Sequence, residues 1–97
     1  MAGFHITGNS GLHITFDNGY TVSIQIGPST YSDNYDMSGP HPKDGYRSTT
    51  AETAVLTPSG ELLELDAYPG DTVQPRMTPR DVLNLLAWVA KQEGNDE

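Results

Sequence analysis

An alternation of apolar and polar residues runs from Gly3 to Ile26, and it admits few folds. It appears in Gly3-Phe4-His5-Ile6-Thr7, in near copy in Gly11-Leu12-His13-Ile14-Thr15, and most cleanly in Tyr20-Thr21-Val22-Ser23-Ile24-Gln25-Ile26. Period-two alternation marks strands with one covered face. Asn9-Ser10-Gly11 and Asp17-Asn18-Gly19 stand between the runs. Register decides the length of the second turn. A two-residue Asn18-Gly19 turn would set Phe16 against Thr21 and Ile14 against Ser23, with the apolar sets on opposite faces. A three-residue loop pairs Phe16 with Tyr20, Ile14 with Val22 and Leu12 with Ile24, all on one face. Its last residue, Gly19, suits the left-handed position such a loop requires. The same arithmetic at Asn9-Ser10-Gly11 predicts Phe4 opposite Phe16 and Ile6 opposite Ile14, giving a three-stranded antiparallel meander.

Further along, Thr50-Ala51-Glu52-Thr53-Ala54-Val55-Leu56 reads as a strand, Pro58-Ser59-Gly60 as a turn, and Glu61-Leu62-Leu63-Glu64-Leu65 as the returning strand of a second hairpin. Glu61, Glu64, Asp66 and Asp71 make this side acidic: either a charged strand edge that discourages pairing or an acidic contact surface. Thr72-Val73-Gln74 reads as a short extended piece. The helix signals gather at Thr78-Pro79-Arg80-Asp81: an N-cap, a proline at the first position and an acid at N3. Met77 is placed to staple onto Val82. Val82, Leu85, Leu86 and Val89 form the apolar stripe, and Gly94 is the expected stop. Trp88 is read first as core; an exposed Trp88 would mark a dimer or partner surface. The fold class is α+β, an antiparallel sheet of about five strands covered by the C-terminal helix, in one domain over residues 1–97. The helix stripe and the apolar face of the meander are expected to cover each other, and the tail at 94–97 to fray.

The other face of the meander carries His5, Thr7, His13, Thr15, Thr21, Ser23 and Gln25, polar and uncharged. It is a solvated sheet face or a docking surface, with His5 and His13 expected to lie diagonally across it. A zinc-type site needs three or four ligands. Asp17 is the only further candidate, so no metal is expected.

Composition narrows the function classes. In 97 residues, 5 Lys and Arg stand against 13 Asp and Glu, a formal charge of −8. Neutralising phosphates requires clustered Lys and Arg, so direct binding to nucleic acid or an anionic membrane is not expected. The chain has no cysteine, which removes disulfides, thiolate zinc sites and cysteine nucleophiles. The N-terminal residues lack a basic region followed by an apolar run, and no stretch approaches the roughly 18 apolar residues of a membrane span.

From Gly27 to Ser48 the alternation stops, in a stretch that includes Pro28, Pro40 and Pro42. Loops this long are functional or disordered. Disordered segments are poor in aromatics, whereas this one carries Tyr31, Tyr35 and Tyr46. Tyrosine with Ser, Gly and Asn is the mixture of rigid contact and adaptable hydrogen bonding used by binding loops. Asn34, His41, Lys43 and Arg47 add polar and basic groups, so the seven residues Tyr31, Asn34, Tyr35, His41, Lys43, Tyr46 and Arg47 form the candidate ligand site. They suit a planar base with a phosphate, and equally a protein partner. No catalytic residue, metal or cofactor is assigned. There is no G-x-S-x-G elbow and no phosphate-cradling glycine loop before a helix.

The run Leu12–Gly27, the stretch Thr50–Val55, and Gly70-Asp71-Thr72-Val73-Gln74 followed by Met77-Thr78-Pro79 and the closing helix together resemble a group of small acidic proteins of tailed bacteriophages, generally without an assigned activity. The resemblance runs from Leu12 onward, with Phe4–Ser10 as a departure, and brings no site residues. It implies a phage origin and action in the cytoplasm of an infected host. Three readings follow. The first is a non-enzymatic binding protein that antagonises host defence, by sequestering a cyclic or NAD-derived nucleotide signal or by blocking a host defence protein. A homo-oligomer is expected with it, because a small chain makes a better pocket between subunits. The second is a minor structural or assembly protein. The third is a small hydrolase depending on His41.

Overall fold

Five strands, β1 (Gly3–Thr7), β2 (Gly11–Thr15), β3 (Thr21–Gln25), β4 (Ala51–Leu56) and β5 (Val73–Met77), pair antiparallel in chain order, and one helix, α1 (Pro79–Ala90), closes the α+β fold. The computed structural model describes residues 2–8, 11–26, 48–65 and 70–93. The expected frayed tail lies outside them; the helix ends at Ala90 with Lys91 as its C-cap, ahead of the expected Gly94 stop.

The β2–β3 hairpin has the register that the alternation demands. Leu12 faces Ile24 and Ile14 faces Val22. Phe16 N–H donates to Tyr20 O at 2.9 Å, and Gly19 N–H to Phe16 O at 2.9 Å. Gly19 sits at φ 91°, and an added Cβ there would also press on Pro58 at 3.1 Å. That contact ties this turn to the one that follows β4.

The first hairpin differs from its predicted register by two residues. Phe4 faces Ile14 rather than Phe16, Ile6 faces Leu12 rather than Ile14, and Thr7 faces Gly11. A two-residue slip keeps every apolar side chain on the same face, so the alternation alone does not forbid it. A side-chain bridge explains the choice. Gln25 Nε2 reaches across Gly11 to donate to Thr7 Oγ1 at 2.8 Å. A Cβ on Gly11 would collide with Ile24 O and the Gln25 amide. In this register His5 lies directly opposite His13, not diagonal to it.

The fifth strand is Val73–Met77, not the predicted return at Glu61–Leu65. That return makes a single bridge, Leu56 to Leu62, with Leu63 N–H donating to Val55 O at 2.8 Å. β3 occupies one side of β4, so the bridge and β5 share the other, β5 taking Ala51–Ala54. What holds β5 there is buried: Thr53 Oγ1 donates to Gln74 Oε1 at 2.9 Å, and Met77 is buried opposite Ala51. The short extended piece expected at Thr72-Val73-Gln74 is the start of this strand; hydropathy hides the rest, because Gln74 is a buried polar residue and Pro75 a strand breaker tolerated only at an edge.

The core lies over β3, β4 and β5. Val22 faces Val55, and both pack with Met77, Leu85 and Val89; Phe16, Tyr20, Ile24, Leu63, Leu65, Val82 and Leu86 close around them. Along β4, Ala51, Thr53 and Val55 point inward in turn. The helix starts as its sequence predicts. Asp81 N–H donates to Thr78 Oγ1 at 3.1 Å, and Thr78 N–H to the Asp81 carboxylate at 3.0 Å, a reciprocal capping box. Its 12 residues, at about 1.5 Å each, cross the sheet once and end at the β2–β3 turn. There Asn18 Nδ2 donates to Val89 O at 2.8 Å and Gln92 O at 2.9 Å, while its Oδ1 accepts from Tyr20 N–H.

One expectation about packing fails. The helix does not cover the whole apolar face of the meander: Phe4 is 80% exposed and Ile6 77%. Trp88, at 44% exposure, is not core either, and Leu83, elsewhere on α1, is 59% exposed.

Candidate functional site

Tyr31, Asn34, Tyr35, His41, Lys43, Tyr46 and Arg47 lie outside the described residues. What is described is the frame that carries them. β3 ends at Gln25, which faces Glu52 on β4, so Ile26, just past β3, and Ser48, three residues ahead of β4, flank the segment beside two adjacent interior strands. The segment therefore springs from the strand pair that also supplies Val22 and Val55 to the core.

The polar face of β1–β3 is described in full, and its groups are largely occupied with one another. Thr15 Oγ1 and Thr21 Oγ1 share a hydrogen bond at 2.8 Å. Gln25 Nε2 contacts Thr7 Oγ1 and, at 3.3 Å, Ser23 Oγ. The His5 and His13 rings meet edge to face, centroids 5.8 Å apart at 79°. Two imidazoles fall short of the three or four ligands of a zinc-type site. Asp17 lies in the turn beyond β2, four residues from His13 and on the order of 13 Å away at strand rise. Among the described residues no group of three His, Asp or Glu side chains gathers to hold a metal.

The opposite face of β1–β2 is the exposed apolar feature that the sequence pattern did not reveal. Phe4 and Ile6 stand out to solvent on β1, beside the half-buried Leu12 and Ile14 on β2. β1 is also an edge strand. The signal that could have marked it is electrostatic: no Asp, Glu, Lys or Arg precedes Asp17 in a chain of charge −8.

Electrostatic perturbation is found at the helix start, away from both faces. Thr78 holds the Asp81 carboxyl below the usual aspartate range, first through its backbone N–H and then through its hydroxyl. This is a structural cap rather than reaction chemistry. Among the described residues no helix is long and apolar enough to cross a membrane.

No protein-family model, no curated protein and no solved structure matches this chain.

Proposed function

We propose that this chain is a non-enzymatic binding protein that acts against host defence, engaging its target through the tyrosine-rich loop at 27–48. The observation that carries this reading is the pairing of Gln25 with Glu52, which holds both flanks of a tyrosine-rich segment near two adjacent interior strands of a packed sheet. Binding residues are disproportionately found on loops held by such rigid scaffolds. Tyr31, Tyr35 and Tyr46 supply flat contact surface; Lys43 and Arg47 supply the positive charge an anionic nucleotide needs. Against a net charge of −8, those two cations favour a compact anion over an extended one. If the target is instead a basic host protein, attraction to the acidic surface weakens steeply with salt.

A thermal-shift screen against cyclic di- and trinucleotides and NAD-derived cyclic nucleotides tests the reading. A ligand that binds only the folded state raises stability by about 2.7 kcal/mol at a hundredfold excess over Kd. The expected result is a dose-dependent shift that Tyr35→Ala and Arg47→Ala each reduce. A flat screen turns the reading to blockade of a host protein, sought by affinity capture. Unchanged binding in both variants would remove the site from this segment.

A further inference from the structure

We propose that β1 is a self-association strand: two copies of this chain pair antiparallel through their β1 edges, about a two-fold axis at His5, joining the two sheets into one.

The backbone makes the first case. Phe16 bonds Tyr20 across the β2–β3 turn. Antiparallel pairs alternate between hydrogen-bonded and non-hydrogen-bonded. Thr15–Thr21 is therefore a non-hydrogen-bonded pair, whose close side chains fit the 2.8 Å contact between the two hydroxyls. Ile14–Val22 is hydrogen-bonded and His13–Ser23 is not. The His13 backbone groups thus face β1 and bond His5. On β1 itself the N–H and C=O groups of Phe4 and Ile6 point to the open edge, a template for another strand.

The second case is self-complementarity. The β1–β2 pair already joins two versions of one pattern, Gly-Phe-His-Ile-Thr and Gly-Leu-His-Ile-Thr, antiparallel about His5 and His13. A second β1 offers the outer edge the same pattern. Centred on His5, the pairing sets Phe4 against Ile6 of the other copy twice, each as a hydrogen-bonded pair with its apolar side chains on one face. These are the two most exposed of the large apolar residues described.

Charge and closure specify the partner. Acidic chains of this charge repel one another, yet the first charged side chain in the sequence is Asp17. β1 and β2 themselves bring no like charges to a contact between two copies. The far edge is blocked: Pro75 lacks an N–H, Arg76 stands at φ 52°, and the β4–β5 register shifts between Ala51 and Thr53. Among the described residues one sheet edge per copy is open, so the two-fold contact closes at a dimer rather than a fibre. A five-residue edge is small beside the roughly 1,200–2,000 Å² of standard interfaces, so the dimer dissociates on dilution.

Sedimentation velocity over a dilution series of the full chain is the first test, with a concentration-dependent dimer expected. Phe4→Lys with Ile6→Lys places like charges opposite each other across the axis and should abolish it. Phe4→Lys with Ile6→Glu places opposite charges there and should restore it. A non-hydrogen-bonded His5–His5 pair brings the two Cα atoms to about 4.5 Å, within disulfide reach. In this cysteine-free chain, His5→Cys should then oxidise to a covalent dimer far faster than Thr7→Cys, whose copies lie apart in this register. Circular dichroism checks that each variant stays folded, and the cysteine pair needs no charge introduced into β1. A monomer at every concentration overturns the proposal. So does a dimer indifferent to the paired lysines, or equal oxidation of the two cysteine variants.

Discussion

β1 and β3 lie in opposite halves of the sheet, are written in the same alternating pattern and end differently. In β3–β5, Val22 and Val55 vanish beneath Leu85 and Val89. In β1–β2, Phe4 and Ile6 occupy equivalent positions on the same face and stay in solvent. Size explains the difference. A helix is about 10–12 Å across and strands lie about 4.8 Å apart, so one helix shields roughly three strands and leaves the rest of a five-stranded sheet open. Alternation specifies which side of a strand is apolar; it does not specify what covers it.

Truncation should separate the halves most sharply. Leu85→Ala removes a nearly buried side chain beside Val22 and Val55 and should cost about 2–5 kcal/mol in urea unfolding. Ile6→Ala, at an exposed position, should change stability by no more than about 0.5 kcal/mol. Comparable losses would mean that the β1–β2 face is covered in solution. Within the covered half, Thr53→Val strips the Gln74 amide oxygen of its buried donor, and Gln74 Nε2 already has no partner. The expected cost is about 1–3 kcal/mol. Adding Gln74→Leu to that variant should recover most of it, because no polar group is then left unpaired. If the double variant is no better than the single one, the amide is satisfied by a route other than Thr53.

The same contrast explains what was legible in the sequence. The β2–β3 register could be worked out because Asp17-Asn18-Gly19 allows one loop length that keeps Phe16, Ile14 and Leu12 on a common side. In β1 the alternation gave the face but left slips of two residues open, and the Gln25–Thr7 bond across Gly11 that selects among them is a tertiary contact. Only the start of β5, at Val73-Gln74, is legible as an extended piece; its full length is not, because Gln74 and Pro75 contradict strand composition where a buried hydrogen bond and a sheet edge tolerate them. The start of the helix was read from Thr78, Pro79 and Asp81, since capping is local. Its other end is earlier than the expected Gly94 stop: the helix finishes at Ala90, where Asn18 reaches its carbonyls from 71 and 74 residues away. Of the candidate binding residues, the sequence offered a composition within 27–47, and the structure adds the strands that flank it.

Asn18 links the halves, standing in a turn of the meander while serving the helix, and its effect should fall next in size. Asn18→Ala gives up two donors to helix-terminal carbonyls and an acceptor for Tyr20 N–H, an expected loss of about 1–2 kcal/mol. Asn18→Asp, nearly identical in shape, should be worse than alanine. It retains the acceptor but sets a carboxylate against two carbonyl oxygens at the negative end of the helix. If aspartate proves better tolerated than alanine, the local turn rather than the helix cap governs this position.

The smallest effect separates the two ends of the helix by pH. Hydrogen bonds from Thr78 lower the pKa of Asp81 in the folded chain. A lowered carboxyl pKa contributes stability that is complete above the unfolded-state value and lost as pH falls through the folded one. Asp81→Asn should therefore melt at a lower temperature than the parent near neutral pH, and the gap should narrow once acid protonates the parent's carboxyl. Asn18 carries no proton to lose, so the gap between parent and Asn18→Ala should not narrow in step with it. A gap for Asp81→Asn that persists unchanged into acid would assign the stabilisation to the shape of the capping box and not to its charge.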